Sequence, residues 1–231
     1  MGEIWLIRHG QASFGAADYD RLSELGFEQS RRLGRWLADS GQRFDLAVTG
    51  SHRRHRETME SCLDALNSHC ARIEDSGLDE YNHREMLSRY EPGLATPQAV
   101  REFIEAQSNP RRAFQELFTS AFARWIGGKH DAEYRESFTG FRRRCLEAFH
   151  LRIGEAGRSE RIIIFTSGGP IAIIAQSVLG LPDDRVAALN FSLVNAAVTT
   201  FFFGSSGLTL SMLNSFQHLE GSPSGRLVTY R

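Results

Sequence analysis

The segment Arg161–Thr166 constrains the fold more than any other part of the chain. It contains three consecutive isoleucines, and such a short, continuous, β-branched run predicts a strand that is buried on both faces. Ser167-Gly168-Gly169 closes the run. A helix is expected to follow through Leu179, and Pro170 is tolerated in its first turn because no N–H is needed there. A strand followed directly by a helix is typical of a parallel sheet.

Shorter apolar runs alternate with helical stretches over the rest of the chain. Strands are predicted at Ile4–Ile7, Asp45–Thr49, Ala71–Glu74, Asn195–Phe203 and Leu208–Leu213. Helices are predicted at Leu22–Ser40, at about Arg53–Leu66, and between Pro92 and about Gly157, with breaks at Asn109-Pro110 and Gly127-Gly128. The alternation predicts an α/β fold, a three-layer α/β/α sandwich with a mainly parallel central sheet. One domain over residues 1–231 is expected, with a helical insertion at about 86–133.

Composition and charge exclude several classes of protein. The net charge of −1 provides no global field that would attract nucleic acid or an anionic membrane. The longest apolar runs are far shorter than the roughly 18–20 residues of a membrane span. The cysteines, Cys62, Cys70 and Cys145, are odd in number and have no CxxC spacing, which favours inert thiols in a reducing compartment. We therefore expect a cytoplasmic protein that binds neither nucleic acid nor membrane.

Three predicted strands end in residues that carry chemistry. The first ends in Arg8-His9-Gly10, the second leads to Arg53-Arg54, and the strongest ends in Ser167-Gly168-Gly169. In such sheets ligands bind beyond the carboxyl ends of the strands, so these groups are expected to meet. The segment Leu78–His83 adds carboxylates in a loop. A nucleophile, cations and an acid that converge on one crevice indicate phosphoryl transfer.

Phosphoryl transfer gives each group a role. A phosphate monoester carries about two negative charges, which the guanidinium forks of Arg8 and Arg54 can neutralise and orient. Neutral His9 can attack phosphorus through one ring nitrogen if the other donates to a carbonyl. A carboxylic acid with a raised pKa can protonate the leaving alkoxide and later activate water. Backbone N–H groups at Gly10 and Gly168-Gly169 are expected to approach the phosphate.

The order of these segments resembles the histidine phosphatase superfamily, which includes the cofactor-dependent phosphoglycerate mutases. Leu6–Ser13 is similar to its N-terminal RHG signature, and Leu22–Gly26 to the helix start that follows. Arg54–Thr58 resembles the segment with the second phosphate arginine, and Leu78-Asp79-Glu80 the segment with the proton donor. The resemblance runs from residue 1 to about His218 and omits the insertion.

The resemblance implies a phosphoglycerate mutase-like fold and a phosphohistidine on His9, with Arg8, Arg54 and Glu80 as its catalytic partners. It also implies a set of phosphate ligands, namely Arg8, Arg54, Gly10, Ser13, Ser167 and Gly168. No cofactor and no metal is expected, because His9 belongs to no cluster with the spacing of metal ligands.

One turn departs from the resemblance. The superfamily's second histidine lies in the turn after the late strand, where this chain has Ser167. That histidine is understood to hydrogen-bond the phosphoryl group, so its loss costs about 1.5–3 kcal/mol, or roughly tenfold to 150-fold in rate. The serine hydroxyl is expected to recover part of this, and Ser167→His to raise activity. Alternatively, Ser167 is only the N-cap of the following helix.

Other assignments stay open. Arg53 replaces Arg54 if the register differs by one residue, and Asp79 and Glu85 compete with Glu80 as the acid.

Three functions are compatible with the sequence. The leading hypothesis is a metal-independent phosphatase that acts on a small phosphorylated substrate or a phosphoprotein. The alternatives are a phosphoglycerate mutase and, because of Ser167, a domain that binds a phosphorylated ligand without turnover. Specificity is expected from the insertion, and His83 either lies at the pocket mouth or is merely solvated. Residues 191–203 form either an internal strand or an edge that pairs with a second copy, which leaves a homodimer open.

Overall fold

A six-stranded sheet forms the centre of the protein. The computed structural model describes residues 1–13, 20–157, 159–205, 207–220 and 227–230. The strands are β1 (Gly2–Arg8), β2 (Leu46–Thr49), β3 (Ala71–Glu74), β4 (Arg161–Thr166), β5 (Val198–Gly204) and β6 (Gly207–Ser215). Their order in the sheet is β3-β2-β4-β1-β5-β6. The first four are parallel, while β5 and β6 are antiparallel to their neighbours, so the sheet is mainly parallel, as predicted.

Eight α-helices accompany the sheet in the described residues. They are α1 (Glu24–Asp39), α2 (Arg53–Leu66), α3 (His83–Tyr90), α4 (Pro97–Glu105), α5 (Pro110–Ile126), α6 (Phe138–Glu155), α7 (Gly168–Leu179) and α8 (Val186–Ser192). None of the helices in these ranges is both long and apolar enough to cross a bilayer.

Most predicted boundaries agree with the structure, and the differences have local causes. Helix α1 begins two residues later than expected because the Ser23 hydroxyl accepts from the N–H of Gly26 as an N-cap. Strand β5 begins at Val198 rather than Asn195, because Ala196 has a φ of 59° and makes a turn there. Residues 191 and 192 belong to α8 and not to a strand. In the sheet, β5 lies between β1 and β6, so β5 is internal and β6 forms the edge.

Alternation along the strands sorts the core into two layers. Ile4 and Leu6 of β1 pack with residues of α6 and α7, such as Phe149 and Ile171. Trp5 and Ile7 point to the other face, where they pack with the apolar stripes of α1 and α2. Because successive strand residues point to opposite faces, a fully apolar β1 requires helices on both sides. This is the predicted three-layer sandwich.

The expected helical insertion contains α3, α4 and α5, which share a hydrophobic core with α6 and α7. An aromatic cluster at its centre joins Tyr81, Phe122, Trp125 and Phe141, with ring centroids 5.1–5.6 Å apart. Tyr81 follows Glu80 directly in the chain, so the packing of the insertion fixes the segment that carries the candidate acid.

The register of the parallel strands brings their carboxyl ends together. Arg8 pairs with Thr166, and Thr49 pairs with Phe165. The N–H of His9 donates to the carbonyl of Thr166 at 2.8 Å, and the N–H of Gly50 donates to Phe165 at 3.0 Å. The three predicted strand ends are therefore neighbours.

Candidate active site

His9 lies immediately after β1 and is 7% exposed. Its Nδ1 lies 2.7 Å from the carbonyl oxygen of Gly10, which can only accept, so Nδ1 carries the hydrogen. Burial, followed by the charges of Arg54 and Arg8, lowers the pKa of His9 well below its usual value. The imidazole is therefore neutral at pH 7, and its Nε2 presents a lone pair.

Gly10 supports His9. Its N–H donates to the Thr58 hydroxyl at 3.0 Å, which does not favour the expected approach of this N–H to the phosphate, and that role stays a prediction. A Cβ at this position would lie 2.5 Å from the carbonyl oxygen of Gly26, at the start of α1. Glycine is required here because the two backbone segments approach so closely.

Arg54, and not Arg53, faces the site. Arg54 is buried in the first turn of α2, with Nη2 3.4 Å from the Ser167 hydroxyl and Nη1 2.5 Å from an Asp20 carboxylate oxygen. Arg53 is exposed and pairs with Glu57 at 2.7 Å. The carboxylate of Asp20 shows that the Arg54 guanidinium can hold an anionic oxygen at this position.

Arg8 is held by backbone carbonyls. Its Nη1 donates to the carbonyl of Leu193, and its Nη2 donates to that of Tyr230 at 3.1 Å. Its charge still acts on the site, because it lowers the pKa of His9 and opposes the upward shift of the pKa of Glu80.

Glu80 is the carboxylate that the geometry favours as the acid. Its Oε2 accepts from the N–H of Gly169 at 3.1 Å, at the start of α7. Burial raises the pKa of Glu80, although the Gly169 hydrogen bond and Arg54 act in the opposite direction. A Cβ on Gly169 would lie 2.0 Å from Oε1, so this glycine makes room for the carboxyl group.

The competing carboxylates have other partners. Asp79 accepts from both the N–H and the hydroxyl of Ser51, at 2.6 and 2.5 Å. Glu85 accepts from the N–H of Arg135 at 3.1 Å. Neither of them contacts the start of α7 as Glu80 does.

The turn after β4 only partly matches its predicted role. Ser167 is the residue before α7, but its hydroxyl makes no capping bond, so the N-cap alternative does not describe its side chain. The N–H of Gly169 is directed to Glu80 and not to a phosphate. Gly168 packs against Asn190, whose Oδ1 would lie 2.2 Å from a Cβ there. The role of Ser167 and Gly168 as phosphate ligands stays a prediction.

Ser13 takes part in the hydrogen bonding of its own loop. Its hydroxyl donates to the carbonyl of Leu22 at 3.1 Å, and its N–H donates to that of Arg21 at 2.8 Å. These bonds shape the entrance to α1, and a direct phosphate contact by Ser13 remains a prediction.

Comparison with known proteins decides the family. The sequence profile of the histidine phosphatase superfamily (branch 1) matches residues 4–113 and 99–215. The chain belongs to this superfamily. A 2,3-bisphosphoglycerate-dependent phosphoglycerate mutase of Rhizobium meliloti (strain 1021) is 36% identical over 93 residues, which are 37% of this chain and 44% of that protein. The chain thus matches less than half the length of this curated relative.

Solved structures show the same fold over nearly the whole chain. A phosphoglycerate mutase from Bacillus anthracis str. Sterne has a TM-score of 0.65 and 18% identity, covering 94% of both chains. A phosphoserine phosphatase from Entamoeba histolytica, in complex with 3-phosphoglyceric acid, has a TM-score of 0.64 and 17% identity. It covers 95% of this chain and 100% of its own. These structures confirm a phosphoglycerate mutase-like fold for this member of the histidine phosphatase superfamily.

The prediction missed His55, which follows Arg54 directly. His55 is fully buried, and its Nε2 lies 2.6 Å from the Ser167 hydroxyl. A sequence signal was available, because Met59, Cys62 and Leu66 continue a buried helical stripe from residue 55. A histidine on such a stripe is buried, and a buried polar ring requires a partner.

Two further histidines lie near Arg54. Burial and the charge of Arg54 lower the pKa of His52, and they lower that of His83 to about 4. His83 is half-buried, and its place at the pocket mouth stays a prediction.

The described residues contain no group of three or more His, Cys, Asp or Glu side chains arranged to hold a metal ion. Burial raises the pKa of the Cys62 and Cys145 thiols, which keeps both in the unreactive protonated form.

Proposed function

We propose that this histidine phosphatase hydrolyses a phosphomonoester through a phosphohistidine on His9, without a metal ion. The observation that carries the proposal is the neutral His9 ring, whose Nδ1 donates to Gly10 and whose Nε2 keeps its lone pair. A histidine in this state is a nucleophile at neutral pH. The chain belongs to a superfamily of phosphoryl-transfer enzymes, and this membership supports phosphoryl transfer as the class of reaction.

The first step forms the phosphoenzyme. Arg54 and Arg8 supply the positive charge that attracts the phosphate. The same charge stabilises the negative charge that spreads over the phosphoryl oxygens in the transition state. Nε2 of His9 attacks phosphorus as the bond to the leaving oxygen breaks. Glu80, whose acid form is favoured because burial raises its pKa, gives its proton to that oxygen.

The second step releases phosphate. The Glu80 carboxylate takes a proton from a water molecule, which attacks phosphorus as the phosphorus–nitrogen bond breaks. His9 returns to its neutral form with Nδ1 still bonded to Gly10, and Glu80 is again protonated. The same carboxyl group therefore serves as acid and base in turn.

The test is to trap the intermediate. The protein is mixed with a ³²P-labelled phosphomonoester in EDTA, quenched in alkali, where phosphohistidine survives, and digested to locate the label. We expect label on His9 and none in His9→Ala. Label on another residue, or turnover that EDTA abolishes, would refute the proposal, and phosphate binding without turnover would favour a ligand-binding role.

A mutase is the second candidate, and the match to curated phosphoglycerate mutases supports it. A mutase must hold the phosphohistidine long enough to return the phosphate to a second acceptor. An assay of 3-phosphoglycerate conversion, primed with 2,3-bisphosphoglycerate, separates the two activities: a phosphatase releases inorganic phosphate and accumulates no isomer.

A further inference from the structure

The Ser167 hydroxyl is buried where two other site residues meet. It is 0% exposed, and it does not cap α7 although its backbone occupies the capping position. Its side-chain bonds go to helix α2 instead, to Nη2 of Arg54 at 3.4 Å and to Nε2 of His55 at 2.6 Å. An anionic oxygen bound by Arg54 would therefore lie beside this hydroxyl.

The His55 ring is fitted into the site by more than one contact. Its centroid lies 5.7 Å from that of His9. A Cβ on Gly50 would lie 2.3 Å from its Nδ1, so the residue after β2 must be glycine for the ring to fit. Within the described part of the chain Nδ1 has no hydrogen-bond partner, and an oxygen of Asp79 lies 3.8 Å away.

We propose that His55 is a positioning residue, which orients the Ser167 hydroxyl towards the phosphoryl group so that Ser167 can donate to it. The inference rests on the proposed function, since it concerns the same phosphoryl group. In the family pattern, the turn after β4 would contain a histidine where this chain has Ser167. The inference places the imidazole of His55, from α2, behind that serine.

Hydrogen counting explains how the pair works. A serine hydroxyl has one hydrogen and two lone pairs. In the tautomer with its hydrogen on Nε2, His55 donates to Oγ, and Nη2 of Arg54 donates to the second lone pair. The one hydroxyl hydrogen is then left over and can be donated to an anionic oxygen that Arg54 binds. No proton has to move between the two ring nitrogens.

The size of the site also revises the expected effect of Ser167→His. Because Oγ already lies 2.6 Å from the His55 ring and is fully buried, a second ring at position 167 has no room. We therefore expect Ser167→His alone to lower activity, contrary to the sequence-based expectation. The double change Ser167→His with His55→Ala moves the imidazole to the turn and should restore activity relative to Ser167→His.

The experiment compares His55→Leu, Ser167→Ala and the double variant by kcat/KM for p-nitrophenyl phosphate and by Kd for orthovanadate. Each single change is expected to lower both affinity and kcat/KM by about tenfold. The double variant should fall no further, since residues that act as a unit are not additive. His55→Gln should retain more activity than His55→Leu, because its amide N–H can donate to Oγ.

Cys62→Ala is the matched control, because it removes buried volume from the same helix without touching the site. It should lower stability and leave kcat/KM unchanged. Additive losses in the double variant, or an orthovanadate Kd that His55→Leu leaves unchanged, would overturn the inference. That failure is separate from failure of the proposed function, which the ³²P label on His9 reports; if the wild type does not turn over, orthovanadate binding still decides.

Discussion

Two neighbouring strands end in the site, and they complete it in different ways. β1 and β4 pair in parallel and in register up to Arg8 and Thr166. The residue after β1, His9, is oriented by the carbonyl of the next residue in the chain. The residue after β4, Ser167, makes its side-chain bonds with residues of α2 that are 112 and 113 positions earlier.

The side chain after β1 is oriented by a neighbour in the sequence, whereas the side chain after β4 is oriented by residues that are distant in the sequence. The end of β1 contains both His9, the proposed nucleophile, and the Gly10 carbonyl that sets its tautomer. The end of β4 contains a hydroxyl whose behaviour depends on Arg54 and His55, so its function cannot be assigned from the turn alone. Substitutions at the two ends should therefore differ in size and in their dependence on α2.

The largest expected effect is that of His9→Ala. Without the imidazole the covalent route is lost, and we expect kcat to fall by at least about a thousandfold. The measurement is the rate of phosphate release, with Ser167→Ala assayed beside it. If His9→Ala kept activity and Ser167→Ala abolished it, the comparison would be reversed, with Ser167 as the nucleophile and His55 as its base.

Glu80→Gln should have the next largest effect, and it should depend on the leaving group. For an alkyl phosphate such as phosphoserine we expect a loss of about 10²–10⁴-fold, because the alkoxide requires a proton. For p-nitrophenyl phosphate the first step should change little, since the nitrophenolate leaves unprotonated. Burst kinetics with both substrates measure this difference.

The pH dependence of the reaction rate follows from the upward shift of the pKa of Glu80. Because burial raises the pKa of Glu80, the acid form persists above its usual range, and the alkyl phosphate rate should fall as pH rises through that pKa. Glu80→Gln should remove this limb of the profile. Glu85→Gln is the control and should behave as the wild type; a loss equal to that of Glu80→Gln would mean that the acid was wrongly chosen.

The sequence predicted the parts of the molecule whose causes are local. Strands such as Arg161–Thr166 and helix α2 were predicted with their observed ends, because burial and helix periodicity are visible in short windows. The placement of His9 after a strand was predictable for the same reason.

What the sequence did not predict depends on contacts between distant segments. The N–H of Gly10 is taken by Thr58, and the N–H of Gly169 is taken by Glu80. His55 meets Ser167 only because α2 packs beside the end of β4. Such pairings require the assembled sheet, and no periodicity within one segment reveals them.

The contrast between Arg54 and Arg53 gives a smaller, graded test. Arg54→Lys keeps the charge but removes the planar fork, and we expect kcat/KM to fall roughly tenfold to 150-fold. Arg53→Lys is the matched control on the same helix turn and should stay within about twofold, since a surface ion pair contributes little. Equal losses in the two variants would show that α2 contributes only general positive charge.

The smallest expected effect concerns the pH dependence of stability. It tests whether the His9 ring after β1 and the His55 ring beside the end of β4 are both buried away from water. Burial lowers the pKa of His9 and His55 well below the usual value of about 6.5, and lowers that of His218 to about 4. Below pH 6.5 the unfolded chain binds protons that the folded protein does not. The free energy of unfolding should therefore fall as pH decreases from 7 to 5. His218 alone is expected to lower the free energy of unfolding by on the order of 3 kcal/mol once pH has fallen below its folded pKa of about 4.

Glu80 acts in the opposite direction, and this determines how the experiment is designed. Its raised pKa favours the folded protein at low pH, and this stabilisation is lost as pH rises through that pKa. Urea unfolding should therefore be measured in a Glu80→Gln background, where only the histidine slope remains between pH 7 and 5. His55→Leu should flatten the slope there, and His9→Ala should flatten it by a similar amount. If only His9→Ala did so, the His55 ring of α2 would be solvated, and the hydroxyl of Ser167 would have water rather than His55 as its partner.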